Sequence, residues 1–150
     1  MTYETYLEGM NELLRRFGVT DFGAHELATP EGGVPPRELW PNAIPTIIRI
    51  QRLRTRLGRA IYICTPAHPR RGYRTAEVNA AVGGASGSIH LTFNAFDCHA
   101  PGLAVADLLE AARLEFPIDD RVFWGLGQTY PTFVHMDTRG LLGLPAPARW

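Results

Sequence analysis

Residues 88–98 read SIHLTFNAFDC, and the chain returns to the same texture at 132–137 with TFVHMD. Both stretches are dominated by apolar, aromatic and β-branched residues, the types that fit a pleated, buried surface. The pattern predicts strands at 93–98 and 132–137, with two more at 60–64 (AIYIC) and 121–126 (RVFWGL). The segments around them carry helical periodicity instead. Tyr3, Tyr6, Leu7, Met10, Leu13, Leu14 and Phe17 recur in steps of three and four, and Gly18 is placed to end that helix. A second helix runs from near Asn42, which can cap it, to Leu57, with Gly58 as its stop. Ile44, Ile47, Ile48, Leu53 and Leu57 give it an apolar side, and Arg49, Arg52, Arg54 and Arg56 a wet one. Thr75 can cap a short helix reaching Val82, and 103–114 fits another. Five prolines in 29–45 make that stretch a connection crossing the surface, and GGASGS at 83–88 a flexible turn. Strands and helices mix without βαβ regularity. The expected class is therefore α+β, a small antiparallel sheet with flanking helices.

The 150 residues amount to one domain, 1–150. Fifteen acidic and fifteen basic residues cancel, which argues against a general nucleic-acid binder, and the arginines form no aromatic-rich stripe on which bases could stack. Every basic residue is arginine, so lysine chemistry such as Schiff-base formation is excluded. No apolar run approaches the roughly 20 residues of a membrane span. The opening MTYETYLEGMNELLRR lacks the basic-then-apolar layout of a signal peptide, so the chain is expected to be cytoplasmic as synthesised. Cys64 and Cys98, each in an apolar stretch, read as buried free thiols.

Of the five histidines, His90 and His135 stand in segments otherwise too apolar to favour an imidazole. A polar group embedded in this way needs a partner, and a metal is one. Two histidines and a carboxylate suit a catalytic zinc, because three protein ligands leave the fourth tetrahedral position to water. Asp97, seven residues after His90, is the natural third ligand, with His135 returning by tertiary folding. Alternation along a strand turns Cys98 away from a metal held by Asp97, and brings His99 to the metal side only if the strand continues that far. It also puts Asp137 on the face of His135. There Asp137 can serve as general base, or accept a hydrogen bond from the histidine and fix its tautomer. Tyr73, Trp124 and Tyr130 can line a cleft or pack in the core. His25 reads as structural, and Asp119 and Asp120 as a solvated turn.

Three blocks, in order, resemble the M15 peptidases, the zinc D-alanyl-D-alanine carboxypeptidase and endolysin family, in its compact branch. The first is Gly72-Tyr73-Arg74 followed by Asn79 and Gly83-Gly84-Ala85, the second Ser88, His90, Ala95 and Asp97, and the third Phe133-Val134-His135-Met136-Asp137. The resemblance implies a hedgehog- and DD-peptidase-like fold, Zn2+ held by His90, Asp97 and His135, and Arg74 as a substrate-binding residue. It implies peptidoglycan stem peptides as substrate, met at the cell wall after release or within a phage-like particle. The chain departs from the pattern twice. Phe93 stands where the family has glycine, which should crowd the cleft. Thr132 stands where many members carry the acidic general base, leaving Asp137 as the nearest replacement. These departures support an alternative: a particle component that binds other virion proteins and keeps the fold with weak or no catalysis.

Overall fold

Thr2 starts the first helix, its hydroxyl accepting a hydrogen bond from the Thr5 amide at 3.1 Å. This helix, α1, spans Tyr3–Arg16, with Glu4 in its first turn and Arg15 and Arg16 in its last, each matched to the helix dipole. Tyr6, Met10 and Leu14, four residues apart, are its buried line. In the computed structural model, which describes residues 1–116, 125–127, 130–146 and 148–149, four more helices follow. They are α2 (Ala24–Leu27), α3 (Ala43–Leu57), α4 (Ala76–Ala81) and α5 (Val105–Glu115). Gly58 ends α3 in the left-handed conformation at φ +62°. Thr75 caps α4 through the Val78 amide, as expected. Among the described residues no helix is long and apolar enough to cross a membrane.

The strands are β1 (Ala95–Cys98), β2 (Gly125–Gly127), β3 (Val134–Asp137) and β4 (Ala148–Arg149), in the spatial order β1-β3-β2-β4. β3 is antiparallel to both β1 and β2, and β4 runs parallel to β2. The α+β expectation holds. All eight residues of β1 and β3 are buried, so both faces of this part of the sheet are covered. Phe96, Cys98, Leu126, Val134 and Met136 join the apolar core with Tyr6, Met10, Ile47, Ile50 and Leu53. Alternation sends Asp97, His135 and Asp137 to the other face. The register sets Asp97 directly opposite His135.

Three local expectations change, and a fourth is met only in part by the described residues. Residues 60–64 form no strand. Tyr62 exchanges two backbone bonds with His99, at 2.8 and 3.0 Å, while the Cys64 amide turns to the Glu26 carbonyl, so the donors are divided and no ladder forms. Arg121–Trp124 of the fourth expected strand lie outside the described residues, and β2 takes up Gly125 and Leu126. Asn42 stands at the N-cap of α3, but its side chain makes no capping bond there. It ends a 3₁₀ turn over Arg37–Asn42 and donates its amide to the Thr92 carbonyl at 2.9 Å, and this turn buries Trp40. Arg49 is buried rather than wet, because the last turn of α5 presents a carbonyl without a helical partner. Its guanidinium donates to Glu115 O at 2.6 Å.

Candidate metal centre

Strand pairing supplies two thirds of the site, and a tight turn brings the rest. His90 sits in a 3₁₀ turn over Ile89–Thr92, which Ser88 opens by accepting the His90 amide at 3.4 Å. Phe93 closes that turn with a left-handed backbone, φ +62°, the one non-glycine residue of positive φ among those described. A glycine would adopt this conformation freely. A side chain there costs about 1–3 kcal/mol, offset here by packing. The Phe93 ring is fully buried against Tyr6, Tyr73 and Phe96. It faces the core and does not line the cleft, so the expected crowding does not arise.

The turn and the strand pair bring one donor atom each from His90, Asp97 and His135 to within 4.8 Å of one another, all three residues buried. His90 Nε2 lies 3.2 Å from Asp97 Oδ1, and His135 Nδ1 lies 3.0 Å from the same oxygen. The other nitrogen of each ring faces an acceptor. His90 Nδ1 is 2.7 Å from the Gly72 carbonyl, and His135 Nε2 is 2.8 Å from Asp137 Oδ2. Those outer nitrogens therefore carry the protons, and in neutral rings the inner ones present lone pairs. Two lone pairs and a carboxylate oxygen then converge, an arrangement that repels itself unless a metal cation, or a proton on one inner nitrogen, joins it. A tetrahedral ion with arms of about 2.0–2.1 Å has ligand–ligand edges of about 3.3 Å. The two separations from Asp97 Oδ1, 3.2 and 3.0 Å, lie close to that edge, and all three donor atoms lie within 4.8 Å of one another, so the residues fit a small divalent metal.

The outer bonds explain two sequence details. A Cβ on Gly72 would lie 1.8 Å from the Leu27 carbonyl, so only glycine lets this loop run close enough to α2 to aim its own carbonyl at His90. Asp137 is fully buried and does not line the cleft. Its carboxylate lies between His135 and Arg139, whose guanidinium approaches at 2.6 and 3.0 Å and whose amide donates at 2.9 Å.

Electrostatics follow the same contacts. Burial alone would push the Asp97 carboxyl up, but the positive field of His90 and hydrogen bonds from both histidines hold it far below the usual carboxylate range. Burial works against a charged His135 too, yet its bonds to Asp137 and Asp97 carry it up to about 9. His90 has no second carboxylate, and burial takes it down. Asp137 is held low despite burial by His135 and Arg139.

Arg74 reaches the centre from the loop before α4. Its Nε donates to the Arg70 carbonyl at 2.6 Å and its Nη2 to Asp97 Oδ2 at 2.9 Å. Asp97 thus has one oxygen turned to the histidines and the other held by a cation. A cleft of about 1060 Å³ opens over these residues. Thr132, Tyr130 and His68 lie on its wall, and Thr132 accepts a long hydrogen bond from Arg71. Tyr73 belongs to the core, and Trp124, Asp119 and Asp120 lie outside the described residues. Asn79 organises its loop by donating to the Ala85 carbonyl at 2.8 Å. His25 is exposed on α2. β1 stops at Cys98, and His99 turns to Tyr62 and Arg71 instead of the metal centre. Both cysteines are free and buried, as expected.

Sequence reasoning passed over Arg139 and gave Arg71 no role. A signal for Arg139 was present: a carboxylate inside a buried strand requires a counter-charge, and Arg139 is two residues beyond Asp137. The family model of Peptidase M15 matches residues 10–137, most of the chain, which therefore belongs to the M15 peptidase family. No curated protein matches it.

Proposed function

We propose that this member of the M15 peptidase family is a zinc-dependent peptidase that hydrolyses peptide bonds of bacterial cell-wall peptidoglycan, with residues 1–150 as its catalytic domain. The observation that carries the reading is the inward convergence of three acceptor atoms from His90, Asp97 and His135, with the outward nitrogens already engaged. When bound there, zinc supplies Lewis-acid polarisation of the scissile carbonyl and makes water a nucleophile near neutral pH. Gly72 and Asp137 fix the tautomers of His90 and His135, so each ring offers a lone pair inward without reorganisation. Asp137 is then a positioning residue rather than the base, since it lies behind His135 and outside the cleft lining. Arg74 holds Asp97 in place, which leaves a single guanidinium nitrogen, Nη1, for substrate.

One observation favours the second reading, a phage-like particle component with weak or no catalysis. Among the described residues lining the cleft, Asp97 is the sole carboxylate and both its oxygens are engaged. Proton transfer from that wall falls to His68 or Tyr130. The test is zinc content of the purified protein together with release of peptide fragments from peptidoglycan. One zinc per chain, with release abolished by a chelator and restored by added zinc, is the expected result. One zinc with no release from any wall peptide favours the particle component. A folded protein that takes up no zinc removes the metal centre altogether.

A further inference from the structure

The loop before α4 carries three arginines, and their surroundings differ. Arg70 is exposed, and Arg74 is committed to the Arg70 carbonyl and to Asp97. Arg71 is 8% exposed, lines the cleft, and forms no ion pair with any described residue. A guanidinium has five N–H donors. Two contacts are made here: Nη1 to His99 Nδ1 at 2.9 Å and Nη2 to Thr132 Oγ1 at a long 3.4 Å. Neither partner is a carboxylate: one is an imidazole nitrogen and the other a hydroxyl oxygen. The guanidinium carbon lies over the Phe133 ring, 5.0 Å from its centroid, and Phe133 stacks on Tyr130 at 4.5 Å. The cation is therefore fixed in direction by an aromatic floor, and three of its donors have no partner among the described residues.

Burying an unpaired charge is costly, and a protein that keeps one in a cleft has a use for it. The wall around it has the same sign. Among the described residues Arg70, Arg71, Arg74 and Arg139 line the cleft, against the one carboxylate of Asp97. We infer that Arg71 is the carboxylate-binding residue of this cleft, gripping a free carboxylate of the peptide substrate, terminal or side-chain, in a two-pronged contact beside the metal centre. The inference rests on the peptidase reading for the word substrate, and it names what that reading leaves open: the peptide carries negative charge next to the bond attacked. The contact suits arginine, since its planar fork matches both oxygens of a carboxylate.

Three dansyl-labelled stem pentapeptides test it: one with a free terminal carboxylate and a glutamate, one amidated at the terminus, and one with the glutamate replaced by glutamine. Binding is read by fluorescence anisotropy on metal-free and zinc-loaded protein, and hydrolysis separately on the loaded form. The wild type should bind the parent peptide about tenfold or more tighter than one of the two neutralised peptides. Which one loses affinity tells a terminal carboxylate from a side-chain one. Arg71→Gln should erase that difference, and Arg71→Lys should keep part of it. Equal binding of all three peptides by the wild type overturns the inference without reference to any variant, as does a preference that survives in a folded Arg71→Gln protein. Hydrolysis without carboxylate preference removes Arg71 alone. Carboxylate preference without hydrolysis removes the peptidase reading and leaves Arg71 as the binding residue.

Discussion

The two faces of the β1–β3 pair are equally buried and yet held by different physics. On one, Phe96, Cys98, Val134 and Met136 pack into the apolar core beneath the helices. On the other, one residue along each strand, Asp97, His135 and Asp137 are just as inaccessible. The apolar face is stabilised by non-directional burial, so shape and volume matter and the loss of one group is spread over many contacts. The polar face is a chain of directed bonds, from Arg139 to Asp137 to His135 to Asp97 to Arg74, in which each group satisfies the next. Burial alone therefore does not separate scaffold from chemistry here. The partners of the buried atoms do.

The contrast can be broken at three points. The largest effect should follow His135→Ala, which removes one inward lone pair and leaves Asp137 without its ring. Zinc content should drop to background and any hydrolytic activity with it, by about a thousandfold or more. Retained stoichiometric zinc would mean that the polar face does not hold the ion. On the apolar face Phe96→Ala should lower unfolding free energy in denaturant by about 3–5 kcal/mol. The protein that stays folded should still bind one zinc per chain; a parallel loss of zinc would show that the faces are not separable. The smallest and most informative change is Arg139→Met, which keeps the bulk of the side chain and deletes the fork behind Asp137. Zinc affinity, read by competition with a chromophoric chelator, should weaken by about 10–100-fold. An unchanged affinity would reduce Arg139 to an anchor of the C-terminal segment.

Much of this was legible in the residues. Helical periodicity located α1 and α3, turn residues bounded α4, and imidazoles set in apolar segments singled out His90 and His135. Strand alternation placed Asp137 on the face of His135 and turned Cys98 the other way. Three features were hidden because they depend on approach rather than spacing. The Gly72 requirement arises from a neighbouring helix carbonyl. The direction of Phe93 follows from a left-handed backbone that points its ring at Tyr6. The roles of Arg71 and Arg74 turn on which carbonyl and which carboxylate lie within reach of two otherwise similar side chains.

The sequence by itself determined the main helices and the strands at 95–98 and 134–137, the candidacy of His90, Asp97 and His135 as ligands, and the exclusion of lysine chemistry, because these rest on residue types, pattern and composition. Only the tertiary structure decided how that set is used. Antiparallel register put Asp97 across from His135, and the same packing turned Arg74 inward to a ligand and left Arg71 on the cleft wall with no ion pair among the described residues. Hydrogen-bond partners are fixed by distances between segments far apart along the chain, and no run of neighbouring residues encodes such a distance.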